Sequence, residues 1–198
     1  MRPEPITLSS SHVRLEPLAA SHLVGLQDAV KDGELWRLWY TMVPSPEQMA
    51  AEIERRLGLQ AQGLMLPFAV IDTQRQQVAG MTTFMNIDSA NRRLEIGSTW
   101  YRQSVQRTDL NTQCKRLLLG HAFEELRCIA VEFRTHWHNT PSRRAIERLG
   151  AKLDGVLRQH QVMPNGSLRD TCVYSIIDSE WPAVRAQLDH VMNRVAQP

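Results

Sequence analysis

Two stretches of this 198-residue chain place polar side chains where a β-rich run or loop passes into a helix. In the first, Glu95-Ile96-Gly97-Ser98-Thr99-Trp100-Tyr101 is followed by the polar stretch 102–111 and a helical pattern from Thr112. A strand that ends in a short loop and feeds a helix gathers free backbone N–H groups and the positive dipole end at one point, which suits an anion. Gln106, Arg107, Lys115 and Arg116 add donors and positive charge there, a set that fits a pyrophosphate. A plain β-to-α connection with solvated basic side chains reads the same way. In the second stretch, His138-Asn139-Thr140-Pro141-Ser142-Arg143-Arg144 opens another helix. Taken alone, Asn139 reads there as a loop or cap residue and Ser142 as a first-turn hydroxyl.

His136 and His138 stand two apart on an extended segment and share a face. No third ligand lies at local spacing, so no metal is expected. Cys114, Cys128 and Cys172 are odd in number and widely spaced, which reads as three reduced packing residues rather than a disulfide or zinc framework. Trp36, Trp39 and Tyr40, with Met42 and Met49, make an aromatic and thioether-rich patch that suits either helix packing or a ligand wall.

The elements that must hold these residues follow from periodicity. Val13 to Pro17 alternates as a strand, and Leu23, Leu26 and Val30 recur at helical spacing. Ser45-Pro46-Glu47-Gln48 supplies a cap, a first-turn proline and a capping-box glutamine for a second helix carrying Met49, Ile53 and Leu57. Pro67 to Ile71 and Val78 to Ile87 predict an antiparallel hairpin, and Arg93 to Tyr101 a third strand. Gln113 to Leu126 is amphipathic, Cys128 to Arg134 reads as a buried strand, and the helix from Thr140 stops at Gly150. Arg158 to Met163 and Arg169 to Ile177 pair around Pro164-Asn165-Gly166, and Ser179 caps a last helix with Trp181, Val184, Leu188 and Val191 on one side. The result is an α+β fold, one mixed sheet covered by helices. It is read as a single domain over 1–198 with a core from 13 to 188 and a fraying tail at 193–198.

Composition narrows the function classes. Lys and Arg number 23 against 21 Asp and Glu, a net charge of +2 that gives no support to nucleic-acid binding. There is no apolar leader and no run long enough to cross a membrane, which predicts a cytoplasmic protein without membrane partners. The glycine-rich dinucleotide and ATP phosphate-loop fingerprints are missing, which argues against nicotinamide and ATP chemistry. At this length about 70% of the unfolded surface is buried, enough for a core without staples.

Taken together, the two polar stretches resemble the Gcn5-related N-acetyltransferase (GNAT) superfamily, in particular its RimJ/RimL-like branch, over roughly Val13 to Leu188. The family's phosphate loop has the pattern Q/R-x-x-G-x-G/A; here Gln106 matches, and Asp109 and Asn111 stand where it has glycines. The resemblance implies a mostly antiparallel sheet splayed between two central strands, with acetyl-CoA as co-substrate. It places the pyrophosphate on the backbone of Gln106, Arg107, Thr108, Asp109, Leu110, Asn111 and Thr112, with Lys115 and Arg143 nearby. Strand backbone at Trp100 and Tyr101 and the Asn139 amide would hold the pantetheine arm. It further implies direct acetyl transfer to a primary amine, a peptide N-terminus or a small amine, with Ser142 as proton donor to the thiolate; Glu95 is the preferred base, through water, with His136 and His138 as the alternatives. Trp36, Trp39, Tyr40 and His136 would wall the acceptor. A catalytically idle acyl-CoA-binding or regulatory domain is the alternative, and a homodimer is compatible with either.

Overall fold

The computed structural model describes residues 3–195. Eight strands form one sheet: β1 (Leu8–Ser9), β2 (Val13–Pro17), β3 (Met65–Asp72), β4 (Gln77–Asp88), β5 (Arg93–Tyr101), β6 (Ala130–His136), β7 (Lys152–Val162) and β8 (Leu168–Ile177). Their spatial order is β1-β2-β3-β4-β5-β6-β8-β7. Every neighbouring pair is antiparallel except β5 with β6. Five helices cover it: α1 (Leu23–Lys31), α2 (Met49–Ala61), α3 (Leu110–Gly120), α4 (Thr140–Arg148) and α5 (Trp181–Val195).

The sheet separates two apolar layers. Leu94, Ile96 and Phe84 pack with Leu118 and Leu119 of α3 and with Trp181 and Leu188 of α5. On the opposite face Met81 and Trp100 pack with Leu26 of α1 and Met49 and Ile53 of α2. Trp181 also stacks on Phe123 at 5.3 Å, so the apolar stripe of α5 is core.

Elements whose ends carry strong local chemistry lie where periodicity puts them. Arg93–Tyr101 is a strand over the expected bounds, and Gly150, at φ +96°, ends α4 in a conformation that favours glycine. Three ends differ. Regular α2 begins at Met49, and only half of the capping box forms, Gln48 Oε1 accepting from Ser45 N at 3.2 Å. α3 starts at Leu110, two residues before the expected Thr112, and closes in a wider π turn over His121–Glu125. At the mouth of α5 the polar contacts come from Asp178 and Glu180, which accept from Ser179 N and Ile177 N, and the helix begins at Trp181. The tail runs in α5 as far as Val195, and 196–198 lie outside the described residues. No helix among the described residues is long and apolar enough to cross a membrane.

Candidate active site

β5 and β6 pair only at Arg93 with Ala130, Leu94 with Val131 and Glu95 with Glu132. Beyond that point Ile96–Tyr101 and Phe133–His136 run on without pairing each other, so the sheet opens between its two parallel strands. The opening has unused backbone donors. Arg102 N donates to Ala79 on β4, and since successive N–H groups alternate, Tyr101 N–H faces the open side. Tyr101 O on the same side accepts from Gln106 Nε2 at 3.0 Å, which ties the following loop to the strand end.

A bulge shapes β5 just before this. Met81 pairs with Trp100 and Thr83 with Gly97, so Ser98 and Thr99 together oppose Thr82. Ser98 takes φ +47°. The extra residue reverses the alternation: Leu94 and Ile96 face α3, whereas Trp100 turns to the α1 and α2 layer and Tyr101 to α3. Two buried cations hold the bulge from opposite faces. Arg56 of α2, 2% exposed, donates to Thr83 Oγ1 at 2.6 Å and Ser98 O at 3.4 Å while paired to Glu52 at 2.7 Å. From α3, Lys115 donates to Thr99 Oγ1 at 2.9 Å, and Thr99 shares a 2.8 Å hydrogen bond with Thr82.

Sequence reasoning missed Arg56, though its signal was present. It follows Met49 by seven residues and Ile53 by three, which puts a guanidinium on the apolar stripe of α2. Lys115 was expected at the rim of the loop, yet it is only 5% exposed. Its place three and four residues before Leu118 and Leu119 sets it on the buried face of α3, and burial pushes its pKa down to about 8.

The loop from Gln106 turns at Arg107, φ +63°, rather than at the glycine positions of the family pattern. Thr108 Oγ1 donates to Val105 O and accepts Leu110 N at 3.3 Å. Asp109 keeps right-handed backbone, φ −74°, and its carboxylate is drawn to His12 Nδ1 at 3.0 Å and Gln113 Nε2 at 2.6 Å. Leu110 packs its side chain in the core, so only its backbone can serve the loop. Asn111 and Thr112 lie in the first turn of α3, where N–H groups have no partner within the helix.

Across the opening, Asn139 caps α4: its Oδ1 accepts Ser142 N at 3.2 Å. The Asn139 Nδ2 and the Ser142 Oγ have no partner among the described residues. Arg143 lies over the Trp137 ring at 4.3 Å and donates to Tyr174 Oη at 3.1 Å, which turns its guanidinium toward β8.

Glu95 lies on the α1 and α2 side, 5% exposed, accepting from Asn86 Nδ2 at 2.7 Å with Arg134 Nε at 3.6 Å. Burial is the largest influence and raises its pKa above 4.5, outweighing Asn86 and Arg134. A carboxyl that holds its proton more tightly folded than unfolded stabilises the fold at low pH and loses that contribution as pH rises. Glu95→Gln is therefore expected to be more stable than the parent at pH 7, with the difference fading below about pH 4.5 in thermal melts. A variant less stable at pH 7 would contradict this.

Of the aromatic patch, Trp36 packs into the α1 and α2 layer. Trp39 and Tyr40 instead meet the histidines: Trp39 lies edge-on to His136 at 5.2 Å and 5.5 Å from both Tyr40 and His138. Asn165 in the β7–β8 turn donates to Trp39 O at 3.3 Å and braces this segment. The described residues contain no group of three or more His, Cys, Asp and Glu side chains able to hold a metal.

An acetyltransferase (GNAT) domain model matches residues 12–152, and the chain belongs to that family of acetyltransferases. A crystal structure of a GCN5-related N-acetyltransferase from Brucella melitensis is 36% identical and superimposes with a TM-score of 0.85, over 96% of this chain and 86% of that one. YdaF of Bacillus subtilis (strain 168), named provisionally as a ribosomal N-acetyltransferase, is 33% identical over 104 residues, 52% of this chain. That match spans 56% of YdaF. Mycobacterium smegmatis RimJ, solved with a CoA-disulfide, is 22% identical with a TM-score of 0.82 over 96% of this chain and 97% of that one, and shares the fold.

Proposed function

We propose that the chain moves acetyl from acetyl-CoA to the α-amine of a peptide or to a similarly weakly basic amine, by direct attack in a ternary complex. The observation that carries this reading is the opening between β5 and β6, which has unused donors on both sides: Tyr101 N–H on one, Asn139 Nδ2 and Ser142 Oγ on the other. A pantetheine arm, an extended chain with amide groups, fits such a cleft. The pyrophosphate then falls at the first turn of α3, where the Asn111 and Thr112 N–H groups and Arg107 stand and the Asp109 carboxylate is drawn off by His12 and Gln113.

Bound there, acetyl-CoA supplies a thioester whose carbonyl is open to an amine and whose thiol has a pKa of about 8.5, by analogy with cysteine. Backbone N–H groups after the bulge take the negative charge that develops on the carbonyl oxygen. Ser142 passes its hydroxyl proton to the departing sulfur and regains one from the water that takes up the proton shed by the attacking amine; Glu95, reached through water, is a minor acceptor of that proton. No enzyme nucleophile is required. Trp39, Tyr40 and His136 form the wall on which the acceptor rests.

The test is thiol release from acetyl-CoA with a panel of amines. Transfer to a peptide with a free N-terminus supports the proposal, and coenzyme binding without transfer to any amine contradicts it. A second check concerns the loop. Arg107→Glu is expected to weaken acetyl-CoA binding roughly fivefold at low salt, less as salt is added, by titration calorimetry. Unchanged affinity would move the pyrophosphate elsewhere.

A further inference from the structure

His136, 2% exposed at the end of β6, has a ring whose two nitrogens are in different situations. Its Nδ1 accepts the backbone N–H of His138 at 3.1 Å. Its Nε2 is buried and has no hydrogen-bond partner among the described residues. Burial, the largest influence, keeps the ring pKa below its ordinary value, with Arg169 and His138 acting in the same direction. A neutral imidazole has one proton, and a ring that accepts at Nδ1 must carry it at Nε2.

The orphaned atom is thus an N–H donor, and Trp39, 49% exposed and in no regular element, packs against the imidazole with its ring centre 5.2 Å away. An orphaned buried donor of this kind costs free energy unless a ligand satisfies it. We propose that His136 is a positioning residue that donates Nε2–H to a main-chain carbonyl oxygen of the acceptor, with Trp39 moving aside as the peptide enters. This rests on the α-amine reading above and narrows it: the acceptor has a carbonyl close behind its amine, as a peptide N-terminus does and a simple alkyl amine does not. It also means that His136 is not the base, because its available nitrogen already holds a proton.

The test compares His136→Phe, which keeps a ring without a donor, and His136→Gln, which keeps an N–H near the position of Nε2. Acceptors are a serine-initiated, lysine-free hexapeptide amide and benzylamine, which has no carbonyl. The expected result is a roughly 10- to 30-fold rise in peptide KM for His136→Phe with kcat changed less than threefold, largely restored in His136→Gln. For benzylamine, which has no carbonyl to receive the donor, His136→Phe and His136→Gln should change kcat/KM alike, with no rescue in His136→Gln. Equal losses with both acceptors, or a fall in kcat at constant KM, would overturn the proposal. Ring nitrogen NMR of the parent must show the Nε2–H form, and an Nδ1–H form overturns it without any variant. If the parent acetylates no amine, peptide binding to the CoA-loaded protein still decides. Weaker binding in His136→Phe and recovery in His136→Gln sustain the contact while acyl transfer fails; no binding to the parent removes both.

Discussion

Lys115→Met is expected to stabilise the protein at pH 7 by roughly 1–3 kcal/mol in urea unfolding. The Lys115 side chain is buried, its ammonium meets only Thr99 Oγ1, and no ion pair among the described residues includes it. Burial holds its pKa at about 8 in the fold against 10.5 in the open chain. Above pH 10.5 the group is neutral in both states. As pH falls toward 8 the unfolded chain takes up the proton first and stability is lost; below 8 the full cost remains. The advantage of the methionine variant should therefore be complete at pH 7, shrink between 8 and 10.5, and nearly vanish above. A gap that does not change with pH would mean that packing rather than charge separates the two. A fold-weakening cation beside the β5 bulge is the kind of cost that functional sites carry, so the same variant is expected to bind acetyl-CoA less tightly.

Ser142→Ala is expected to lower kcat about 100-fold without loss of stability. The cap bond at α4 uses the Ser142 backbone N–H, which alanine retains, and the hydroxyl has no partner to lose among the described residues. Asn139 needs a finer substitution, because Asn139→Ala also removes the cap and costs about 1 kcal/mol. Asn139→Asp keeps an oxygen for Ser142 N, turns the Nδ2 donor into a carboxylate oxygen and adds a negative charge that suits a helix N-cap, so it should raise KM for acetyl-CoA while the melting temperature holds or rises. Parental kcat in Ser142→Ala, measured with saturating acetyl-CoA and peptide, would remove the hydroxyl from the proton path.

What could be read from the sequence depended on how local its cause is. The β7–β8 hairpin was legible because Pro164-Asn165-Gly166 makes the turn with φ +81° at Gly166 and Asn165 Oδ1 accepting Ser167 N. Asn139 and Ser142 were legible as a pair because a cap and its third residue lie three apart. The bulge at Ser98 was not: a serine takes the left-handed conformation beside Gly97, and what holds it is Arg56, 42 residues away. Nor was the fate of Asp109, a carboxylate in a loop expected to hold an anion. Its partner His12 comes from a strand turn 97 residues earlier, a relation only the register of β1 and β2 beside α3 creates. The tautomer of His136 turns on one backbone N–H, and no pattern of residue types carries that.

The most direct measurement is a competition for acetyl from acetyl-CoA between two versions of one peptide, one with a free N-terminus and blocked lysine, the other with a blocked N-terminus and free lysine. An α-amine titrates near 8, so roughly a tenth is neutral at pH 7, whereas a lysine at about 10.4 is neutral in fewer than one molecule per thousand. A site whose best base is the buried, Asn86-bonded Glu95 has little capacity to strip a lysine. Mass spectrometry should find the acetyl group on the free N-terminus, with kcat/KM rising through the pKa of that amine and nearly the same in Glu95→Gln. Preferential acetylation of the lysine version would contradict the account.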